Sequence, residues 1–287
     1  MINSKTLTDS LLELLTLELI SENTYRGISK NLVGERVFGG QIIAQALIAA
    51  SNNVFLPAAS LHCYFYLPGT VKSSIDYYVS ELVNLPNISI RQVDALQYDR
   101  KIFQGIFRFS PFAENLKSNV VIPQYPNVEN LRDEDFYKRF YYKKYPEKFP
   151  KYLLDPFLVL SKPITLVDPI FPCIKNNKYA EYFRTHDELR AEPQIIHQAI
   201  TAFYSDYNLL SSALSTHALS FYEDKLRVAS LDHTMHFHSP ILADKWILYD
   251  ICTTTTAGHR GLNIGHMWQF DNLICTTSQE SLIKIKQ

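Results

Sequence analysis

One stretch of sequence decides the fold: Gly39-Gly40-Gln41-Ile42-Ile43-Ala44-Gln45-Ala46-Leu47-Ile48-Ala49-Ala50. A surface helix keeps a polar face, but the only polar side chains here are Gln41 and Gln45, a single i,i+4 pair. We therefore predict a buried helix that the rest of the chain wraps. The two glycines at its start would allow a ligand close to the unpaired N–H groups of the first turn. The alternative is that these glycines serve only tight packing in the core.

Size and charge exclude several classes of partner. The 287 residues are 46% hydrophobic, and 28 Lys and Arg balance 29 Asp and Glu. Such a chain suits one large domain or two ordinary ones, and it has no overall field that would attract nucleic acid or an anionic membrane. There is no C-x-x-C pair and no apolar run long enough to span a bilayer. We expect no nucleic-acid partner, no membrane partner and a reducing, cytoplasmic setting. A peroxisomal location is the alternative, although Ile285-Lys286-Gln287 does not match the Ser-Lys-Leu signal.

The order of predicted elements repeats along the chain. A first helix begins at Thr8 or Asp9 and ends near Gly27, and the buried helix is followed by strands over 60–67, 75–82, 88–96 and 102–109. Strands over 164–167 and 178–184, a long helix over 193–214, and strands over 226–238 and 245–254 then repeat this order. The turn Gln97-Tyr98-Asp99-Arg100 has its counterpart 172 residues later, in Gln269-Phe270-Asp271-Asn272. This repetition predicts a duplicated unit and an α+β architecture.

We predict two units, over residues 1–112 and 163–287. Residues 113–162 between them are rich in proline, charge and aromatic side chains, which indicates a long connection that carries some helix. Its run from Tyr137 to Tyr145 mixes basic residues with aromatic rings, as single-strand nucleic-acid binders do. We favour an amphipathic connector whose lysines extend to solvent.

Asp206 is the anomaly of the second predicted helix. It falls inside an apolar stripe at spacings of three and four, formed by Ile195, Ala199, Ala202, Phe203, Leu209, Leu210 and Ala213. An unpaired buried carboxylate costs several kcal/mol, so Asp206 must be hydrogen-bonded, paired or open to a pocket. Either neighbours such as Tyr204, Tyr207 or Asn208 satisfy it, or it is an active-site acid.

Other catalytic signatures are missing from the sequence. It contains no G-x-S-x-G elbow, no H-E-x-x-H motif, no dinucleotide fingerprint and no P-loop. His233, His236 and His238 suggest a zinc site, but strand alternation puts only His236 and His238 on one face. We therefore expect no metal.

The chain nevertheless resembles one family from end to end, the type II acyl-CoA thioesterases. The stretch Arg36-Val37-Phe38-Gly39-Gly40-Gln41 resembles the start of the first hotdog helix of that family. The stretch Ser60-Leu61-His62-Cys63-Tyr64-Phe65 resembles the strand that follows this helix in the family. The segments that carry the family's catalytic Asp, Ser/Thr and Gln resemble residues 204–208, 229–238 and 278–280. The resemblance implies Asp206, Ser230 and Gln279 as catalytic residues, with Asp232 as the nearest competing carboxylate. Alternation along 226–238 leaves open which face of the sheet Ser230 presents.

The resemblance also implies the fold and the reaction. The expected fold is an α+β double hotdog, two fused units in each of which an antiparallel sheet wraps a central helix. The expected reaction is hydrolysis of fatty acyl-CoA to free fatty acid and CoA by direct water attack, without metal, organic cofactor or serine acyl-enzyme. Asp206 would be the base, Ser230 would share its hydrogen-bond network, and Gln279 would position the water or the carbonyl.

Assembly and two rival functions complete the expectations. We expect a homo-oligomer, a dimer or a tetramer. A non-catalytic acyl-CoA binding protein is one rival, and it would release no thiol. A hotdog enoyl-CoA hydratase is the other, and it would need an Asp/His pair on the helix, where His197 is too far from Asp206 to be a helical neighbour.

Overall fold

The computed structural model describes residues 5–113, 118, 120–223 and 225–286. The predicted units also include residues 1–4, 224 and 287, and the predicted connection includes residues 114–117 and 119, all of which lie outside the described residues. The α-helices are α1 (Leu7–Leu15), α2 (Gly39–Ala50), α3 (Glu134–Lys144), α4 (Gln194–Ser205) and α5 (Ser211–Ser215), with short 3-10 turns at Val128–Asn130 and Lys151–Leu154. The strands are β1 (Glu18–Ser21), β2 (Thr24–Gly27), β3 (Ala58–Phe65), β4 (Ile75–Leu85), β5 (Ile88–Gln97), β6 (Arg100–Phe109), β7 (Leu160–Pro163), β8 (Lys178–Arg184), β9 (Leu226–Ser230), β10 (Asp232–Phe237), β11 (Ile247–Ala257), β12 (Arg260–Gln269) and β13 (Asn272–Ile285).

The strands join into one antiparallel sheet. Across the described residues its order is β1-β2-β4-β5-β6-β3-β10-β13-β12-β11-β8-β7, and β9 pairs beside β13. The order β2-β4-β5-β6-β3 on one side of the centre is mirrored by β8-β11-β12-β13-β10 on the other. The two halves meet where Leu61 of β3 lies opposite Met235 of β10. Two central helices, α2 and α4, pack against each other under this sheet, which confirms the α+β double-hotdog prediction.

Helix α2 is buried as its composition predicts. The side chains of Gln41 and Gln45 are 0% exposed, so their amides need internal partners. The Gln45 amide accepts a hydrogen bond from the Tyr77 hydroxyl (2.7 Å) and donates one to the Leu14 carbonyl (2.7 Å). The Gln41 amide donates to the Ile28 carbonyl (3.1 Å). These two polar residues therefore hold α1 and the following segment onto α2.

A repeated hydrogen-bond pattern supports an internal duplication. The side-chain amide of Gln97 bonds to the backbone of Thr70 and Ser73. The equivalent group 172 residues later makes the same bonds, and its members are Gln269, Leu242 and Lys245. Both hairpin turns also use two consecutive residues with positive φ, as the twist of a tight hairpin requires.

Two predicted elements are wrong near the starts of the halves. The first helix ends at Leu15 instead of near Gly27, because Thr16 caps its end and the chain then forms the β1–β2 hairpin, which reverses at Asn23 with φ 59°. Its N-cap is Thr6 instead of Thr8 or Asp9. The strand predicted over 164–167 lies instead at Leu160–Pro163, where it pairs with β8.

The long helix predicted over 193–214 is two helices. Helix α4 ends at Ser205, Asp206 is its C-cap, and α5 begins at Ser211. The apolar periodicity continues across the break because Leu209 and Leu210 are buried in the turn between the helices. Periodicity alone therefore could not show that Asp206 stands at a helix end. No helix among the described residues is long and apolar enough to cross a membrane.

Candidate active site

The carboxylate of Asp206 faces the first turn of α2. Its Oδ2 accepts a hydrogen bond from the Gly40 N–H (3.0 Å), and its Oδ1 accepts one from the Ser230 hydroxyl (2.8 Å). The positive end of the α2 dipole favours an anion at this place. Asp206 is only half-buried, and each oxygen has a further lone pair that can accept a proton donor. The first-turn N–H that the sequence offered to a ligand is thus bonded to Asp206.

The two glycines of α2 make this approach sterically feasible. A Cβ on Gly39 would lie 2.5 Å from Oδ2 of Asp206, and a Cβ on Gly40 would lie 2.0 Å from the carbonyl oxygen of Phe203. Both distances are too short for real atoms. One glycine therefore admits the carboxylate, and the other allows α2 and α4 to cross closely. The site lies at the crossing of the two halves.

A register shift brings Ser230 to the inner face of the sheet. Ser230 pairs with Ser281, but Thr234 pairs with Ser278, so three residues on one strand stand opposite two on the other. The strand predicted over 226–238 is accordingly interrupted at Leu231. An extra residue inverts the alternation of side chains beyond it. Ser230 and His233, three positions apart, therefore face the same side.

Gln279 links Ser230 to the interior. Its side chain is 1% exposed on β13, and its Nε2 donates hydrogen bonds to the hydroxyls of Ser230 and Ser281, both at 3.1 Å. Its Oε1 lies 2.6 Å from Nδ1 of His233. Both amide hydrogens are therefore used within the protein, so Gln279 orients Ser230 in this arrangement.

His233 is a further residue of the candidate site that sequence reasoning missed, because the sequence suggested it only as a zinc ligand. The Gln279 Oε1 can only accept a hydrogen bond, so Nδ1 of His233 carries the proton, while Nε2 lies 2.9 Å from the Ser205 hydroxyl oxygen. Complete burial lowers the pKa of His233 and keeps the ring neutral, against the opposing effect of the Asp206 charge. The sequence does show that His233 lies three residues after Ser230. Only the register shift, however, places these two side chains on the same face of the sheet.

The hydrogen bonds of these residues share one direction. His233 donates to Gln279, Gln279 donates to Ser230, and Ser230 donates to Asp206. Each bond in such a chain polarises the next. The chain ends on a carboxylate that receives hydrogen bonds and gives none, which is the state required of a general base.

The other candidate groups lie outside this chain. Asp232 accepts a hydrogen bond from the backbone N–H of Glu280 (2.7 Å), which anchors the register shift. His236 and His238 are exposed on the outer face of the sheet. In the part of the chain that the structure describes, no three His, Cys, Asp or Glu side chains are grouped to hold a metal ion. His197 accepts a hydrogen bond from the Ala243 N–H (3.0 Å) and forms no pair with Asp206.

Comparisons with known proteins identify the family of the chain. A family model described as acyl-CoA thioesterase matches residues 175–282, and one described as acyl-CoA thioesterase N-terminal domain matches residues 29–110. Acyl-coenzyme A thioesterase 8 of Homo sapiens is 31% identical over 95% of this chain and 88% of its own length. Acyl-CoA thioesterase 2 of Haemophilus influenzae is 31% identical over 97% and 98%, respectively. The crystal structure of acyl-CoA thioesterase II TesB2 from Mycobacterium marinum superposes with a TM-score of 0.76 at 26% identity, over 97% of this chain and 98% of that chain. The chain belongs to the acyl-CoA thioesterase family.

Proposed function

We propose that this protein hydrolyses fatty acyl-CoA to free fatty acid and CoA by direct attack of water, with Asp206 as the general base. The observation that carries the proposal is the half-buried Asp206 carboxylate, which accepts hydrogen bonds from Gly40 and Ser230 and keeps lone pairs free for a water molecule. A thioester is activated enough that a base and a polar environment suffice, without a covalent intermediate.

Each residue of the chain has a distinct role in this mechanism. Asp206 takes a proton from the water as the water oxygen bonds to the thioester carbonyl carbon. The C–S bond then breaks, and the proton that Asp206 took passes to the departing sulfur of CoA, which restores the carboxylate. Ser230 fixes the direction of the carboxylate, while Gln279 and His233 fix the direction of Ser230. Within the proposed catalytic set of Asp206, Ser230 and Gln279, Asp206 is therefore the reacting group and Ser230 and Gln279 position it, with His233 as a further positioning residue behind them.

The same proposal covers organisation and partners. We propose units over 1–112 and 163–287 joined by a connection over 113–162, which is supported by separate family-model matches at 29–110 and 175–282. The substrate partner is acyl-CoA, and no metal or organic cofactor takes part. The protein is a cytoplasmic homo-oligomer. One active site per chain follows because, among the residues that the structure describes, the acid at the helix crossing comes from the second half.

Thiol release from a series of short- to long-chain acyl-CoAs tests the activity, with mass spectrometry of the free acid as the second product. We expect equal amounts of thiol and acid. An acyl-CoA binding protein without catalysis would release neither, and an enoyl-CoA hydratase would add water to the acyl chain with no release of thiol.

Variants of Ser230 and Gln279, together with a search for an acyl-enzyme, test the direct attack of water. Ser230→Ala should lower turnover by ~10- to 10³-fold and leave a measurable rate, because the serine supports the base without carrying the acyl group. Gln279→Ala should fall in the same range. A pre-steady-state burst of thiol, together with an acyl group on Ser230 in the mass spectrum, would replace this mechanism with a serine acyl-enzyme.

A further inference from the structure

We propose that Glu134, on helix α3 of the connection, is a positioning residue for Asp206 and acts through the neighbouring Tyr207. The inference rests on the proposed role of Asp206 as the base. In this proposal the connection between the halves contributes to catalysis, although that segment contains no recognised sequence motif.

Tyr207, directly after Asp206, is held at both its ring and its hydroxyl. The hydroxyl donates to the Glu134 carboxylate, whose oxygens lie 3.0 and 3.2 Å away. The ring stacks on Phe157 with centroids 4.1 Å apart and meets the edge of Phe38 at 6.2 Å. Phe38 is the N-cap of α2, directly before the glycines that face Asp206. Tyr207 thus connects the connection segment to the helix end that binds the catalytic carboxylate.

The Glu134 carboxylate is itself fixed by separate elements. Lys138, one turn later on α3, places its buried Nζ 3.2 Å from Oε2 and also 3.3 Å from the Tyr207 hydroxyl oxygen. The Ser161 hydroxyl of β7 donates to the same Oε2 at 3.2 Å. Burial raises the pKa of Tyr207 well above its ordinary value, so its hydroxyl keeps its proton. The contact is therefore a charge-assisted hydrogen bond in a mostly enclosed place, which gives it more strength than a surface contact.

The turn that carries Asp206 needs such support from side chains. Between the end of α4 and the start of α5 the backbone makes only short-range turn bonds, such as Tyr207 N–H to the Tyr204 carbonyl at 2.9 Å. Asn208 provides a second anchor, because its side chain donates to the fully buried Glu181 at 2.9 Å. Two successive residues after Asp206 are thus bonded to glutamate side chains from other elements. A general base loses much of its effect when it is displaced by a fraction of an ångström.

Steady-state kinetics of four variants and one control variant test the role of Glu134. Glu134→Ala should lower kcat by ~10-fold and change KM by less than about twofold, because a less well placed base slows the chemical step. Glu134→Gln, which keeps an acceptor for Tyr207, should recover most of the loss. Tyr207→Phe should match Glu134→Ala, and the double variant should be no worse than either one. Asp135→Asn on the same helix is the matched control and should keep wild-type kcat.

Amide hydrogen exchange of residues 206–210 gives a readout that does not depend on activity. Glu134→Ala should exchange faster there than wild type, with unchanged exchange in β12 and β13 as evidence that the fold is kept. If wild type releases no thiol, the proposed function fails, and exchange still decides whether Glu134 holds the turn. A wild-type kcat in Glu134→Ala, or additive losses in the double variant, would overturn the proposal. If Glu134→Ala does not fold, Glu134→Gln and Tyr207→Phe decide the question by the same criteria.

Discussion

Asp206→Asn is the sharpest test of the site, because it keeps the shape of the side chain and removes the base. The carboxylate accepts from a rigid backbone donor, the Gly40 N–H, and from a hydroxyl that can rotate, that of Ser230. An asparagine has one acceptor oxygen, which must face Gly40. Its amide group would then donate to Ser230, whose own proton turns away. The number of hydrogen bonds at the crossing is preserved.

The two consequences of this change differ in size. Because the hydrogen bonds are kept and only the charge at the α2 N-terminus is lost, the free energy of unfolding should fall by no more than about 1 kcal/mol. The rate should fall by ~10²-fold or more, the usual contribution of a general base, and ~10²-fold corresponds to about 2.7 kcal/mol of transition-state stabilisation. The loss of activity should therefore far exceed the loss of stability.

The assay compares kcat/KM from thiol release with urea unfolding of the same preparations. Asp232→Asn is the matched control, since its amide oxygen can still accept from the Glu280 N–H and it should keep near-wild-type turnover. If Asp206→Asn hydrolyses acyl-CoA within about threefold of wild type while Asp232→Asn is impaired, the base is Asp232 and the reasoning from the helix crossing is refuted.

Three further predictions concern stability and pH. Gly40→Ala should destabilise the fold by about 1–3 kcal/mol in urea unfolding, because its Cβ would lie 2.0 Å from the Phe203 carbonyl oxygen; unchanged stability would contradict the close helix crossing. Gln45→Ala leaves the buried Tyr77 hydroxyl without its acceptor and should cost about 1–3 kcal/mol, with kcat of the folded protein near wild type; a rate loss equal to that of Gln279→Ala would oppose one site per chain. Burial raises the pKa of Glu181 to about 8, above its ordinary 4.5, so the folded state holds this proton more tightly than the unfolded state. Wild-type stability should therefore fall as the pH rises from the ordinary pKa through about 8, by at most ~1.4 kcal/mol per pH unit, and Glu181→Gln should lack this slope; equal slopes in both proteins would refute the assignment.

Several features followed from local sequence. The near absence of polar residues in α2 predicted a buried helix, and its side chains are almost all inaccessible. The paired turns at Gln97 and Gln269 predicted a repeat, and their amides make equivalent hydrogen bonds. The position of Asp206 inside an apolar stripe indicated an acid that is either satisfied by its neighbours or part of an active site. The signals for the buried helix and for the acid are carried by residues close together in the chain, where helical geometry dictates which side chains share a face. The signal for the repeat is the equal spacing of two short turns.

The sequence by itself therefore predicted most of the elements, the family and the residues proposed for the site apart from His233. Tertiary structure alone decided how they meet. The end of α4 at Asp206, the extra residue near Leu231 and the bond from Gly40 to Asp206 all arise from contacts between distant segments. Alternation along a single strand did not decide which face of the sheet Ser230 occupies. The pairing of β9 and β10 with β13 places Ser230 on the inner face, beside His233. The physical reason is that periodicity describes one element at a time, whereas strand register and helix crossing minimise the energy of two elements together.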